Sequence, residues 1–121
     1  YHPSTIVEDA KRHGVKVLPI DVRRSAWDCT LEHVPGETRW AVRMGLRYVR
    51  GFGVREKAAF ERLARGQSAP REESLSDLAA FARAAGLSRK ALEALAEAGA
   101  LAGFGLDRRK ALWEVRALAT L

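Results

Sequence analysis

The hydrophobic pattern of the chain changes its period near residue 46. Before that point, residues 27–33 and 38–45 alternate apolar with polar side chains, which is typical of half-buried strands. Pro35-Gly36 between them predicts a tight turn and therefore an antiparallel pair. The predicted apolar face carries Trp27, Cys29, Leu31, Trp40, Val42 and Met44. The opposite face carries Arg39, Ala41 and Arg43, so we expect it to be basic.

Helical periodicity follows from Leu46 onward, with Leu46 and Val49 predicted to point inward and Arg47 and Arg50 outward. A longer helix is predicted through about residue 65, with Ala59, Phe60, Leu63 and Ala64 as its buried stripe. Three more helices are predicted: one after a Ser74/Asp77 capping box and ending at Gly86, one over residues 89–98 capped by Ser88, and one capped by Asp107. Their inward residues are Leu75, Leu78, Phe81, Leu92, Leu95, Ala111, Leu112, Val115 and Leu118.

Near the start of the chain, Pro3 and Gly14 delimit a short predicted helix over residues 4–13. Val15, Val17 and Ile20 then indicate an extended segment. Residues 67–74 are polar and predict a linker. The absence of a starting Met gives Tyr1-His2-Pro3 the character of an excised start.

One tripeptide occurs twice, as Gly51-Phe52-Gly53 and Gly103-Phe104-Gly105, at an offset of 52 residues. Each copy follows an apolar residue and one further residue, and each precedes a predicted helix. This spacing is that of the phosphate-binding helix-hairpin-helix motif, in which two glycines allow a tight turn and a helix N-terminus offers unpaired N–H groups. We expect Phe52 to plug back into the core. Asp107 is expected to occupy donors of the second hairpin, which makes that hairpin mainly a packing partner.

Charge is concentrated around the first tripeptide. The net charge is +6, and residues 1–66 hold 13 Lys and Arg against 8 Asp and Glu, whereas residues 67–121 hold 8 against 7. Basic side chains next to a phosphate-binding turn favour a polyanionic partner. The predicted DNA-binding residues are Arg47, Arg50, Gly51, Phe52, Gly53, Arg55 and Lys57. Secondary DNA-binding residues are Gly103, Gly105, Arg108 and Arg109.

Other chemistry is poorly supported by the sequence. Neither a catalytic constellation nor a metal-ligand spacing is visible, so we predict no catalytic residue, no metal and no cofactor. The single Cys29 excludes an internal disulfide and fits a reducing cytosol and a core position. Trp27, Trp40 and Trp113 are predicted core residues, and Tyr48 is the aromatic expected to be exposed. No stretch is long and apolar enough for a membrane span.

Several runs of sequence resemble a known family. Residues 1–15, 21–32 (with Trp27-Asp28-Cys29-Thr30), 87–101 and 106–113 are similar to bacterial C-family DNA polymerases, relatives of the polymerase III alpha subunit. The match is best to the error-prone, damage-inducible branch and covers essentially the whole chain. The resemblance implies the end of a fingers region followed by a tandem helix-hairpin-helix domain that grips duplex DNA behind the active site. It also implies a parent DNA-directed DNA polymerase (a nucleotidyltransferase) and no catalysis by this part alone. With the single Cys29, we predict a cytoplasmic location.

The predicted fold is therefore mainly α with a small antiparallel β element: a tandem helix-hairpin-helix fold preceded by a short helix and a β-hairpin. The predicted division is 1–45 for the fingers-like segment, 46–66 for the first helix-hairpin-helix, 67–74 for the linker and 75–121 for the second unit. The predicted partners are the DNA phosphate backbone, chiefly of duplex, and the rest of the polymerase chain, with no membrane.

Two alternatives to a DNA-binding module of an error-prone polymerase stay open. A protein-interaction module would dock a sliding clamp or another mutagenesis partner, and its glycines would merely close turns. It would show negligible DNA affinity even at low salt. An independent enzyme is the least favoured interpretation, because no nucleophile, base or metal cluster converges.

Overall fold

A computed structural model of the chain describes residues 8–9, 12–36, 39–66 and 76–119. Pro3, most of the predicted first helix, the linker at 67–74, and Ser74 and Leu75 lie outside these residues. Within them, Glu8, Asp9 and Arg12 are helical. Gly14 follows at a φ of 73°, a conformation that suits glycine after a helix.

A small sheet forms the first part of the described structure. Its strands are β1 (Val17–Leu18), β2 (Thr30–His33) and β3 (Trp40–Arg43), in the order β1-β3-β2. The antiparallel pairing of β2 with β3 is confirmed, with Leu31 opposite Val42. The parallel pairing of β1 with β3 was not predicted, because two residues are too short to show a period.

The prediction of which sheet face is buried was wrong for Leu31 and Trp40, although Met44 is buried. Leu31 and Trp40 are 66% and 57% exposed, whereas Ala41 and Arg43 are 1% and 8% exposed. Arg43 tolerates burial because it pairs with the carboxylate of Glu32 and donates a 3.0 Å hydrogen bond to the Pro19 carbonyl. A period of two defines two faces but does not say which one is covered.

Pairing has an electrostatic consequence for Glu32. The hydrogen bond from Arg43 lowers the pKa of the Glu32 carboxyl group, and the nearby Arg24 acts in the same direction. This ion pair therefore holds the β2 and β3 strands together across the face that was expected to be solvated and basic.

After the sheet, the described residues form four α-helices and two short 3-10 turns. The helices are α1 (Val54–Ala64), α2 (Leu78–Ala85), α3 (Arg89–Glu97) and α4 (Arg108–Ala119), and the turns are Leu46–Tyr48 and Ala102–Phe104. The fold is thus mainly α with a small β element, as predicted. No helix among these residues has the length and apolar character needed to cross a membrane.

Side-chain caps fix the helix starts. Ser88 accepts from the Ala91 N–H at 3.1 Å and Asp107 from the Lys110 N–H at 2.8 Å, which confirms both predicted caps. Asp77 caps α2 directly by accepting from the Ala80 N–H at 2.8 Å, so the helix begins at Leu78 and not after Ser74. Gly86 and Gly99, at φ values of 63° and 75°, follow the ends of α2 and α3.

One hydrophobic cluster joins the helices to the loop before β2. It extends from Val22 to Val115, and its largest fully buried side chains are Phe81, Leu46, Leu95, Leu101 and Val115. Most residues predicted to point inward are buried. Ala64 is an exception, because it lies at the edge of the α1 stripe and is exposed.

An unbroken chain of aromatic rings runs through this core. Trp27 stacks on Phe52 with centroids 6.5 Å apart, and Phe52 lies 6.1 Å from Phe60. Phe60 and Phe81 are 6.0 Å apart, as are Phe81 and Phe104. Rings at these separations attract each other. The phenylalanines of the two tripeptides are therefore linked through the core, and the predicted inward position of Phe52 is confirmed.

The tryptophans differ from expectation. Trp113 is 72% exposed and Trp40 is 57% exposed, so the prediction that both are core residues was wrong. Trp27 is half-buried, and Tyr48 is also half-buried, with the Arg47 guanidinium 5.9 Å from its ring centroid. Helical and strand spacing placed these residues on faces that the described part of the chain leaves open.

Candidate nucleic-acid interface

The first hairpin is held by the backbone that precedes β2. Leu46 and Arg47 donate N–H bonds of 2.9 and 3.0 Å to the carbonyls of Ala26 and Trp27. Gly45 makes this approach possible, because a Cβ at Gly45 would lie 2.4 Å from the Trp27 oxygen. Sequence reasoning missed this role, for which an isolated glycine at the end of a strand was the available signal.

Each tripeptide contains one left-handed glycine, and the position of that glycine differs. Gly51 has a φ of 82° in the first copy, and Gly105 has a φ of 79° in the second. Gly53 has a φ of −146°, which lies outside the left-handed region. From the sequence, the two glycines of each copy were expected to share the tight turn.

The backbone conformation therefore aligns the two hairpins differently from the repeated tripeptide in the sequence. Gly51 lies three residues before Val54, the first residue of α1, and Gly105 lies three residues before Arg108, the first of α4. The structurally equivalent offset is 54 residues, from 51 to 105, and not 52. In this register Gly53 and Asp107 occupy the same N-cap position.

A loop covers the second hairpin. The Arg23 guanidinium donates a 2.8 Å hydrogen bond to the Gly103 carbonyl, and the Val22 N–H donates a 3.0 Å bond to the Ala100 carbonyl. A Cβ at Gly103 would lie 2.8 Å from the Arg23 Cδ and 2.9 Å from the Asp21 Oδ1. Because Gly103 has no side chain, Asp21 and Arg23 can pack closely against the second hairpin. The sequence did not predict this contact.

The cations around the first hairpin fall into two groups. Arg43 is buried, and Arg47 donates a 2.7 Å bond to Asp28, which raises the pKa of Arg47. Arg50, Arg55 and Lys57 are exposed, and none of them has an ion-pair partner among the described residues. Arg50 lies directly before Gly51, and Arg55 and Lys57 lie near the start of α1. Arg50 lines the cleft between the hairpin and α3, whereas Lys57 lines a separate pocket with Trp27 and Phe60.

The second hairpin has exposed cations of its own. Arg108 and Arg109 open α4, and within the described ranges neither is held in an ion pair. The Asp107 carboxylate lies at the same helix start, bonded to the Lys110 N–H at 2.8 Å. An anion approaching this end meets two cations and one fixed negative charge.

A carboxylate also occupies the first hairpin, which the sequence reasoning overlooked. The Gly53 N–H donates a 2.7 Å hydrogen bond to Oε1 of Glu56. Glu56 stands three residues after the N-cap position, the spacing of a capping-box glutamate, so the signal was present in the sequence. Glu56 also lines a cleft of about 500 Å³ between the hairpin and α3, together with Arg50, Phe52 and Lys90.

Short helices joined by glycine turns, with an exposed basic turn at the start of a helix, define a helix-hairpin-helix protein. The family model described as a helix-hairpin-helix motif matches residues 14–111, and the chain belongs to this family.

Curated relatives carry the comparison further and confirm the resemblance seen in the sequence. The chain is 44% identical to an error-prone DNA polymerase of Pseudomonas paraeruginosa over 95% of its length, and 47% identical to one of Alkalilimnicola ehrlichii over 95%. It is 46% identical to one of Burkholderia mallei over 100%. The chain spans only 10–11% of the length of these relatives.

Proposed function

We propose that this chain is a DNA-backbone-binding module, without sequence specificity, of an error-prone DNA polymerase that copies DNA past lesions in induced mutagenesis. The observation that carries the proposal is the first hairpin. It combines the exposed left-handed turn at Gly51 with three exposed cations, Arg50, Arg55 and Lys57, that have no ion pair among the described residues. The helix-hairpin-helix match and the polymerase relatives support the same interpretation.

Binding at this hairpin would use backbone and side-chain groups in different ways. The first turn of α1 presents N–H groups without intrahelical partners and the positive end of the helix dipole, both of which favour a phosphate oxygen. Arg50, Arg55 and Lys57 would neutralise neighbouring phosphates and release counterions. Contacts of this kind position a protein on DNA and read little sequence.

The second hairpin would contribute less. Asp21 and Arg23 contact Gly103 and would compete with a phosphate for that surface. Arg108 and Arg109 remain exposed and would add a secondary electrostatic contact, weakened by the Asp107 carboxylate. We therefore assign the main DNA contact to Gly51-Phe52-Gly53, with Phe52 supporting the turn from the core side.

A protein contact is favoured on the sheet. Leu31 and Trp40 are exposed, and the β2–β3 register places them on one face together with His33 and Val42. We propose that this face contacts the rest of the polymerase chain, since the relatives are about ten times longer. Docking of a sliding clamp or mutagenesis partner is the alternative. The proposed polymerase activity belongs to that longer parent and rests on the resemblance, and the proposed cytoplasmic location rests on the single Cys29.

The test is a fluorescence-anisotropy titration of this chain against a labelled duplex at two salt concentrations. The affinity is expected to fall steeply as salt rises. Replacing Arg50→Ala and Lys57→Ala together should weaken binding and reduce the slope of log K against log salt by about two. The matched double replacement Arg108→Ala with Arg109→Ala removes the same charge and should cost less. No duplex binding at low salt, or equal losses for the two pairs, would overturn the assignment.

A further inference from the structure

We infer that Glu56 competes with DNA phosphate for the Gly53 N–H and thereby limits the affinity of the first hairpin. The inference rests on the proposed function and adds to it a residue that opposes binding. Its basis is the 2.7 Å hydrogen bond from the Gly53 N–H to Glu56 Oε1 at the turn that the function assigns to phosphate.

The competition is one of identical chemistry at one donor. A carboxylate oxygen and a phosphate oxygen both accept from a backbone N–H, and both carry negative charge at the positive end of a helix dipole. Glu56 belongs to the same helix whose first turn would hold the phosphate, so its carboxylate is present at high local concentration. DNA must displace this carboxylate or bind beside it, and each course costs free energy.

The surroundings of Glu56 give the displaced side chain somewhere to go. Glu56 lines the cleft between the hairpin and α3, and the exposed cations Arg50 and Lys90 line the same cleft, together with the carboxylates of Glu93 and Glu97. A carboxylate that leaves Gly53 can therefore approach a positive charge without leaving the cleft. The arrangement makes displacement by phosphate feasible, so Glu56 reduces affinity and does not abolish binding.

Two substitutions separate the charge of Glu56 from its hydrogen bond. Glu56→Gln keeps an acceptor for the Gly53 N–H but removes the negative charge, and Glu56→Ala removes both. Each is expected to tighten duplex binding about two- to fivefold at low salt, which is the effect expected from removing one negative charge at a helix N-terminus. The alanine variant should give the larger gain. Glu114→Gln is the matched control: it removes one exposed carboxylate on α4, where no ion pair holds it among the described residues.

The measurement is the same anisotropy titration on the wild-type chain and these three variants. Tighter binding by Glu56→Gln and Glu56→Ala than by Glu114→Gln supports the inference. It is overturned if neither Glu56 variant exceeds the Glu114 control. Because Glu56→Ala also loses a helix cap, Glu56→Gln decides the question should the alanine variant fold poorly.

A DNA-free readout keeps this inference distinct from the proposed function. The Gly53 amide proton of Glu56→Ala should exchange with solvent faster than that of the wild type, while the Lys110 amide held by Asp107 stays unchanged. An unchanged Gly53 exchange rate contradicts the role given to Glu56. If the wild-type chain does not bind duplex but Gly53 exchange is faster in the variant, the proposed function is refuted. The hydrogen bond between Glu56 and the Gly53 N–H is then still supported.

Discussion

Replacing Gly51 by alanine should destabilise the protein more than replacing Gly53 by alanine. Gly51 has a φ of 82°, and no atom lies within 4 Å of the position that a Cβ would take, so Gly51→Ala introduces backbone strain without a clash. Strain of this kind costs about 1–2 kcal/mol. Gly53 has a φ of −146°, and its Cβ would meet only Glu56 Oε1 at 4.0 Å. Gly53→Ala therefore introduces neither a clash nor left-handed strain, but Gly53 is the N-cap of α1, where alanine is disfavoured relative to glycine. We expect a loss below about 1 kcal/mol, partly offset by the smaller entropy of the unfolded chain.

Thermal unfolding followed by circular dichroism measures the contrast. At roughly 4 °C per kcal/mol for a chain of this size, Gly51→Ala should lower Tm by about 4–8 °C, while Gly53→Ala should lower it by less than about 4 °C. The two variants share a hairpin and a chemical change, so each serves as the control for the other. A fall in Tm for Gly53→Ala equal to that for Gly51→Ala would refute the assignment of the left-handed turn.

Two further predictions concern the sheet and its junction with the first hairpin. Because the hydrogen bond from Arg43 lowers the pKa of Glu32 below its unfolded value near 4.5, the pair contributes full stability above that pH and loses it as pH falls through the folded pKa. Glu32→Gln should thus cost about 1–3 kcal/mol at neutral pH and flatten the acid side of the stability profile, measured by urea unfolding at several pH values; an unchanged profile would contradict this. Gly45→Ala should cost about 3 kcal/mol, because its Cβ would lie 2.4 Å from the Trp27 oxygen and 2.5 Å from the Asp28 carbonyl carbon. Wild-type stability of that variant in the same urea assay would show that the close approach is not as described.

Local signals explain what the sequence predicted well. Ser88 and Asp107 are capping side chains whose preference for helix starts is strong, and the structure shows both hydrogen bonds. Residues such as Leu95 and Val115 recur at helical spacing, and both are fully buried. The mainly α fold follows from these two kinds of signal, since each can be read within one helix.

The failures concern contacts between distant parts of the chain. Burial of Arg43 depends on Glu32 from the neighbouring strand, and a single strand's pattern does not contain that partner. The hydrogen bond from the Arg23 guanidinium to the Gly103 carbonyl joins residues 80 positions apart. Glu56 is a different case, because its spacing from Gly53 was readable, yet only Asp107 was predicted to compete for the donors of a hairpin.

The repeat illustrates how geometry corrects a motif. The repeated Gly-Phe-Gly sequence suggests an offset of 52 residues between the hairpins. The left-handed glycines and the helix starts instead make residues 51 and 105 the equivalent positions. The first copy leads directly into α1. The second copy is followed by Leu106 and Asp107 before α4 begins. The two hairpins therefore share an architecture, but they do not present the same groups to a ligand.

The most direct test of the central claim is to observe the backbone amides of both hairpins while DNA is added. We would titrate the ¹⁵N-labelled chain with an unlabelled duplex at low salt and follow the amide resonances by NMR. The largest shifts are expected at residues 51–55, with smaller changes at residues 103–105. Shifts confined to residues 103–105, or to neither hairpin, would contradict the assignment of DNA binding to the first hairpin.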